Sequence, residues 1–189
     1  MAYGTTDNSV AANVKAPRKE HRRSERVLAL EIRPQKFGFV VFDGATRLLD
    51  WGVRSSIDRQ NRQRVIAQDS IRRLLDLYRP SLVVMRRREH SSISTRTKSA
   101  TAAVIRDEAR RRSIKCRTVP TRDIERFYAE LGCSTKHEIA SLIAEWFEEL
   151  SWKVPPKRKP WQPEHYQTAI FDAAAVGIVF LSKSKSIAA

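Results

Sequence analysis

Short apolar runs separated by turn residues dominate the first third of the folded sequence. Residues 27–32, 37–42 and 47–54 form three such runs, and Asp43-Gly44 after the second is typical of a hairpin turn. Because the connections are short, we expect three strands in an antiparallel meander. Residues 1–25 lack large apolar side chains at regular spacing and predict a disordered basic tail.

From residue 65 the hydrophobic positions follow the period of a helix. Residues 65–78 and 100–112 predict helices, whereas 81–85 and 114–119 predict strands. This alternation favours parallel pairing with right-handed crossovers. The chain is therefore expected to be an α/β protein with a five-stranded mixed sheet, three antiparallel strands and then two parallel strands, flanked by helices.

Three more helices are predicted in the last third of the chain. Thr121 is the expected N-cap of the first and Gly132 its C′ residue, while Thr135 and Glu138 form a capping box for the second. The last helix is predicted over residues 164–181. The folded domain is accordingly predicted over residues 26–182, with a flexible C-terminus over 183–189.

The composition favours a polyanionic partner. Lys+Arg 36 minus Asp+Glu 21 gives a net charge of +15, and 41% hydrophobic residues suffice for a buried core. A surplus of this size favours nucleic acid over a membrane surface. The apolar run 173–181 is too short to cross a bilayer, and no signal-like segment opens the chain, so we expect a cytoplasmic protein. Cys116 and Cys133 lack the spacing of a disulfide framework or a zinc site.

Cations, hydroxyl groups and tryptophans cluster in two stretches, one after the fourth strand and one in the Pro-rich loop 151–162. Arginines suit phosphate contacts, and tryptophans beside cations suit unstacked bases. An alternative is that both tryptophans anchor the loop to the core. The predicted nucleic-acid-binding residues are Arg86, Arg87, Arg88, Arg96, Lys98, Lys136, Lys153, Lys157, Arg158, Lys159, Trp152 and Trp161.

Several local motifs occur in an order typical of one known family. Glu31 ends the first apolar strand, and Gly38 follows seven residues later. The later motifs are Leu-Asp-Trp-Gly-Val-Arg-Ser at 49–55, Tyr-x-Pro at 78–80, Gly-x-x-x-Lys at 132–136 and Asp-Ala at 172–173. Residues 26–181 thereby resemble the RuvC-like Holliday-junction resolvases. The resemblance implies a ribonuclease H-like fold in which the first and fourth strands are neighbours at a topological switch point, where ligands bind.

The resemblance also implies a site for two Mg²⁺ or Mn²⁺ ions about 4 Å apart, held by four acidic or metal-binding side chains. At the four matching positions this chain has Glu31, Arg86, Ala169 and Asp172. Two of the four ligands are lost, so only Glu31 and Asp172 remain as catalytic and metal-binding candidates. We hypothesise that the Arg86 guanidinium stands in the place of a metal and pairs with both carboxylates.

Other acidic or imidazole side chains could restore a metal site from a shifted register. Glu89, Glu164 and His165 are the candidates, although Glu164 lies more than one helical turn from Asp172 in the predicted last helix. A solvated surface role is the preferred interpretation of Glu89 and His165.

Three functions remain open. The favoured one is a catalytically degenerate nucleic-acid-binding protein that needs no cofactor and binds structured or branched DNA rather than RNA. The second is an active Mg²⁺-dependent crossover-junction endonuclease with rearranged ligands, and the third is a protein-interaction subunit. The resemblance further implies a homodimer.

Overall fold

The computed structural model describes residues 25–55, 63–87, 95–159 and 161–186. The strands are β1 (Arg26–Ile32), β2 (Lys36–Asp43), β3 (Leu48–Ser55), β4 (Leu82–Arg87) and β5 (Lys115–Pro120). The helices are α1 (Gln63–Tyr78), α2 (Thr95–Arg111), α3 (Thr121–Glu130), α4 (Lys136–Trp146) and α5 (Thr168–Ser186), with a 3₁₀ helix at Glu148–Lys153. The predicted tail falls almost wholly outside the described residues, as do the last three residues of the chain.

The five strands form one mixed sheet in the order β3-β2-β1-β4-β5. β1 pairs antiparallel with β2, where Glu31 lies opposite Gly38, and parallel with β4, where Leu30 lies opposite Met85. β4 pairs parallel with β5. The predicted fold class is therefore confirmed, including the neighbouring positions of the first and fourth strands.

Alternation along the central strand divides the apolar side chains between two layers of core. Val27 and Ala29 pack on the face covered by α3, α4 and α5, whereas Leu28 and Leu30 pack on the face covered by α1 and α2. Because successive side chains of a strand point to opposite faces, Glu31 lies on the same face as Val27 and Ala29. A fully buried carboxylate is thereby directed at α5.

Two glycines allow α5 to approach the sheet closely. A Cβ atom on Gly38 of β2 would lie 1.9 Å from the carbonyl oxygen of Ala169, and one on Gly177 of α5 would lie 2.3 Å from the Phe42 ring. Any larger residue at either position would push the helix away from the sheet. The contact at Gly38 also sets the height of α5, so that Asp172, one turn beyond Ala169, lies beside the end of β1.

The ends of α3 and α4 correct one prediction and confirm two. Thr121 is not the N-cap of α3, because Pro120 holds that position in extended backbone and the Thr121 hydroxyl donates to the Arg87 carbonyl at 3.2 Å. Gly132 does follow α3 with a positive φ of 79°, and the Thr135/Glu138 capping box is present.

The last helix begins at Thr168 rather than at residue 164. The N–H groups of Thr168, Ala169 and Ile170 each donate to the carbonyl three residues back, which is a turn pattern leading into the helix. Residues 163–167 are therefore a connecting segment. None of the helices in the described ranges combines the length and apolar character that a bilayer crossing requires.

Candidate functional site: a buried cluster of ion pairs

The C-terminal ends of β1 and β4 bring Glu31 and Arg86 together. Both residues lie on the α5 face of adjacent parallel strands, and Arg86 Nε is 2.9 Å from Glu31 Oε2. Arg86 Nη2 is 3.8 Å from Asp172 Oδ1, so one guanidinium lies between the two carboxylates. This is the pairing that the sequence analysis hypothesises, and it occupies the sheet edge where ligands bind in open α/β folds.

A second arginine, which the sequence analysis missed, binds the other side of Asp172. Arg33 Nη2 donates to Asp172 Oδ2 at 2.5 Å, and Arg33 Nη1 forms a very short contact with Glu164. Arg33 follows Glu31 by two residues, and the period of a strand places both side chains on one face. This two-residue spacing could have predicted that Arg33 lies on the same face as Glu31, although Arg33 lies just beyond the end of β1.

The connection before α5 contributes a third carboxylate. Lys136, at the start of α4, has its Nζ 2.5 Å from Glu164 Oε1 and 3.2 Å from Asp172 Oδ2. The expectation that Glu164 is too far from Asp172 was wrong, because residue 164 lies in the connecting segment rather than in a helix. His165, by contrast, is exposed, as its preferred interpretation required.

We name these six residues the ion-pair cluster: Glu31, Arg33, Arg86, Lys136, Glu164 and Asp172. Their formal charges cancel, with three carboxylates and three cations. Burial decreases from the fully buried Glu31 to Lys136, whose side chain is 53% exposed. The cluster is therefore closed at the sheet and open to solvent at the start of α4.

Electrostatics keep the outer part of the cluster ionised. Burial disfavours the charge on Glu164, but hydrogen bonds from Arg33 and Lys136 outweigh it and lower the pKa of Glu164 to about 2. Burial likewise disfavours the charge on Arg33, yet its hydrogen bond to Glu164 and the Asp172 charge raise the pKa of Arg33. Both groups therefore carry full charge at neutral pH.

The residues present do not fit a two-metal centre. Mg²⁺ requires several anionic oxygen ligands that are free to coordinate, but each carboxylate of the cluster contacts at least one cation. Within the described ranges, no three His, Cys, Asp or Glu side chains are arranged to hold a metal ion. Ala169, at a position where the resemblance implies a ligand, is fully buried against Gly38.

The predicted binding residues at and after the end of the fourth strand are only partly within the described ranges. Arg87 is exposed on β4. Arg88 and Glu89 lie outside the described residues. Arg96 and Lys98 lie on α2, but their side chains are not among those that the structure describes. These positions stay predictions.

Both tryptophans of the Pro-rich loop 151–162, which we call the basic segment, are exposed. Trp152 is 70% exposed and Trp161 is 77% exposed, so the interpretation that they anchor the segment to the core was wrong. Lys153 Nζ lies 3.7 Å from the centroid of the Trp152 ring, and Lys159 Nζ lies 5.6 Å from that of Trp161. Lys157 and Arg158 are exposed between them. The segment therefore presents aromatic faces and cations together.

Fold and sheet order define the chain as an α/β protein with a ribonuclease H-like fold of the RuvC type. Solved structures similar to it include RuvC of Thermus thermophilus in complex with a Holliday junction substrate, at a TM-score of 0.67 and 14% identity over 86% of this chain and 96% of that one. The yeast mitochondrial Holliday junction resolvase gives a TM-score of 0.61 at 13% identity, over 84% and 78% of the two chains. No protein-family model matches the sequence, and no curated protein is similar to it in sequence.

Proposed function

We propose that this protein binds branched or structured DNA through its basic surface and has lost metal-dependent nuclease chemistry. The observation that carries the proposal is the position of the Arg86 guanidinium between Glu31 and Asp172. Two structurally similar proteins are Holliday junction resolvases, which supports a branched substrate. The net charge of +15 supports a polyanionic one.

The loss of chemistry follows from charge. A guanidinium is always protonated and cannot coordinate a cation. For a metal to bind between Glu31 and Asp172, the Arg86 guanidinium would have to leave, and both buried carboxylates would lose that cation. Breaking buried pairs is strongly unfavourable. In this proposal the ion-pair cluster therefore stabilises the fold at the sheet edge where the metal ions would otherwise bind.

Binding would rest on the basic segment and on Lys136. Lys157, Arg158 and Lys159 are exposed near two exposed tryptophans. Cations neutralise phosphates, while tryptophan faces stack on unpaired bases at about 1–3 kcal/mol per base. Unpaired or distorted bases occur at a branch point, so this combination favours a junction over a regular duplex.

The test is binding and cleavage of a four-way junction, measured side by side with a duplex of the same sequence. We expect the junction to bind more tightly, with equal affinity in EDTA and in Mg²⁺, and to remain uncut in Mg²⁺ and in Mn²⁺. Affinity should fall steeply as salt rises. Equal binding of junction and duplex would refute the branched substrate, and cleavage would refute the loss of chemistry.

A matched pair of lysine variants locates the binding surface. Lys159→Ala should lower the slope of log affinity against log salt by about 1 if Lys159 contacts a phosphate. Lys115→Ala is the control, because Lys115 is also exposed but lies at the start of the edge strand β5. Equal effects of the two substitutions would show that binding is spread over the whole cationic surface.

A second candidate function is an active endonuclease with rearranged ligands. Two carboxylates, Glu31 and Asp172, remain at positions where the resemblance implies ligands, and Glu164 shares Arg33 with Asp172, which favours this function. Cleavage in Mn²⁺ that disappears in both Glu31→Gln and Asp172→Asn would establish this function. Cleavage that survives both substitutions would identify a contaminating nuclease.

A further inference from the structure

A cleft lies next to the ion-pair cluster, between the start of α4 and the connection that leads to α5. Its volume is about 510 Å³, which falls in the range of pockets that bind small molecules. Lys136 and Glu164 line the cleft and also belong to the cluster. The cleft therefore opens beside the sheet edge where the substrate of the proposed function would lie.

The walls of the cleft are suited to a flat ring. Pro155, Pro156 and Pro163 line it with carbon surface, and two histidines, His137 and His165, add aromatic rings. His137 Nδ1 is 3.0 Å from the Pro155 carbonyl. Since a carbonyl only accepts, the Nδ1–H group of His137 is the donor in this contact. The same bond ties the proline wall to α4.

The charge of the cleft is suited to a phosphate. Among the lining residues, Lys136, Lys157 and Arg158 against Glu164 leave a surplus of two positive charges with neutral histidines. Lys157 and Arg158 are exposed, so a phosphate could reach them without being buried. A site with carbon walls for a ring and cations at its edge matches the two halves of a nucleotide.

We propose that this cleft holds a single nucleotide, unstacked from a DNA strand that binds across the cluster. The inference rests on the proposed function and adds to it the unit that the protein recognises. Trp152 and Trp161, both exposed on the same segment of chain, can stack on neighbouring bases. A strand source is favoured over a free nucleotide because the cleft shares Lys136 and Glu164 with the ion-pair cluster at the sheet edge, and because Trp161 directly precedes Gln162, which lines the cleft.

The experiment uses the full chain and a four-way junction carrying 2-aminopurine at the branch point, excited above the absorption of tryptophan. We expect the fluorescence to rise several-fold on binding, because the analogue is quenched while stacked in DNA. Junctions with the analogue in the middle of an arm should show no rise. Binding is measured in parallel by an independent method.

Two variants test whether the unstacked nucleotide binds in this cleft. Pro163→Trp fills it with a large side chain and should abolish the rise, with a loss of junction affinity of about tenfold. Glu149→Trp is the control, since Glu149 is exposed and does not line the cleft. If Pro163→Trp fails to fold, Lys157→Glu reverses a charge at the cleft without filling it, and should give a smaller rise.

Each outcome is decisive. Normal junction binding with no fluorescence rise would overturn the nucleotide cleft and leave the proposed function standing. A rise that persists in Pro163→Trp and Lys157→Glu would place the unstacked base elsewhere and also overturn it. Displacement of the junction by low concentrations of free deoxynucleoside monophosphate, without a rise at the branch point, would show a free-nucleotide site instead.

Discussion

Glu31 and Glu108 are buried carboxylates on opposite faces of the sheet, and both contact arginines. The two carboxylates differ in how many donors surround each of them. Glu108, on α2, accepts from Gln68 at 2.6 Å and from Arg112 at 2.8 Å, and Arg72 Nε lies 3.2 Å away. One carboxylate is thus surrounded by several donors. Glu31 instead shares the Arg86 guanidinium with a second carboxylate, Asp172.

The difference separates ion pairs that connect two helices from ion pairs that gather at the candidate site. The donors around Glu108 come from α1 and from Arg112, the residue that follows α2, so these contacts connect two neighbouring helices. The ion-pair cluster links three carboxylates, from β1, the connection at residue 164 and α5, through shared cations that offset their mutual repulsion.

The largest expected effect is the loss of Arg86. Arg86→Met should lower the free energy of unfolding by about 3–5 kcal/mol, because it leaves the fully buried Glu31 without its cation. Urea denaturation of the folded protein measures the change. The double variant Glu31→Gln with Arg86→Met should regain much of the loss, since residue 31 then carries no buried charge and Asp172 keeps its contact with Arg33. Absence of that recovery would mean that Arg86 stabilises through packing.

Acidification is the next largest effect. Hydrogen bonds overcome burial to hold the pKa of both Glu164 and Glu108 at about 2, against an ordinary value near 4.5. Between those values the unfolded chain binds more protons than the folded chain, so stability falls as pH falls from about 4.5 to 2. Above that window neither group changes the slope.

Urea midpoints measured at intervals across this window test both carboxylates. Glu164→Gln and Glu108→Gln should each flatten the dependence of stability on pH. If only Glu108→Gln flattens it, Glu164 does not bind Arg33 and Lys136 in solution. The contacts in the outer half of the ion-pair cluster would then be contradicted.

Loss of one arginine near Glu108 should cost less than loss of Arg86. Arg112→Met removes contacts to Glu108 and to the exposed Asp76, but Arg72 and Gln68 remain beside Glu108. We expect a loss of about 1 kcal/mol in the same urea experiment. A cost equal to that of Arg86→Met would remove the distinction between the two carboxylates.

The smallest expected effect is that of metal on the wild-type protein. Millimolar Mn²⁺ should leave its thermal unfolding temperature unchanged, whereas Arg86→Glu should gain a rise because a ligand that binds only the folded state stabilises it. Arg87→Glu is the matched control, since Arg87 is the next residue of β4 and points to the other face. A rise in the wild-type protein would contradict the proposed loss of metal binding.

Strand periodicity predicted the strands, and the resemblance to the resolvases predicted their order and the pairing of Arg86 with Glu31 and Asp172 at the centre of the cluster. Glu31 and Arg86 lie on one face of adjacent parallel strands, so alternation and strand order together were enough to bring them into contact. Arg33 was missed although it obeys the same alternation, because it lies past the strand end. Glu164 was misjudged because its surroundings were taken as helical, while the helix begins four residues later at Thr168.

The sequence alone determined the set of elements, and its resemblance to the resolvases supplied their order in the sheet and the replacement of two expected ligands by Arg86 and Ala169. These depend on local periodicity and on residue identity, which do not require coordinates. The tertiary structure decided that Arg33, Lys136 and Glu164 complete the cluster, through contacts such as Arg33 to Glu164 across 131 residues. Contacts of that range depend on how closely α5 approaches Gly38 and on the path of the chain before it, and no local pattern encodes either.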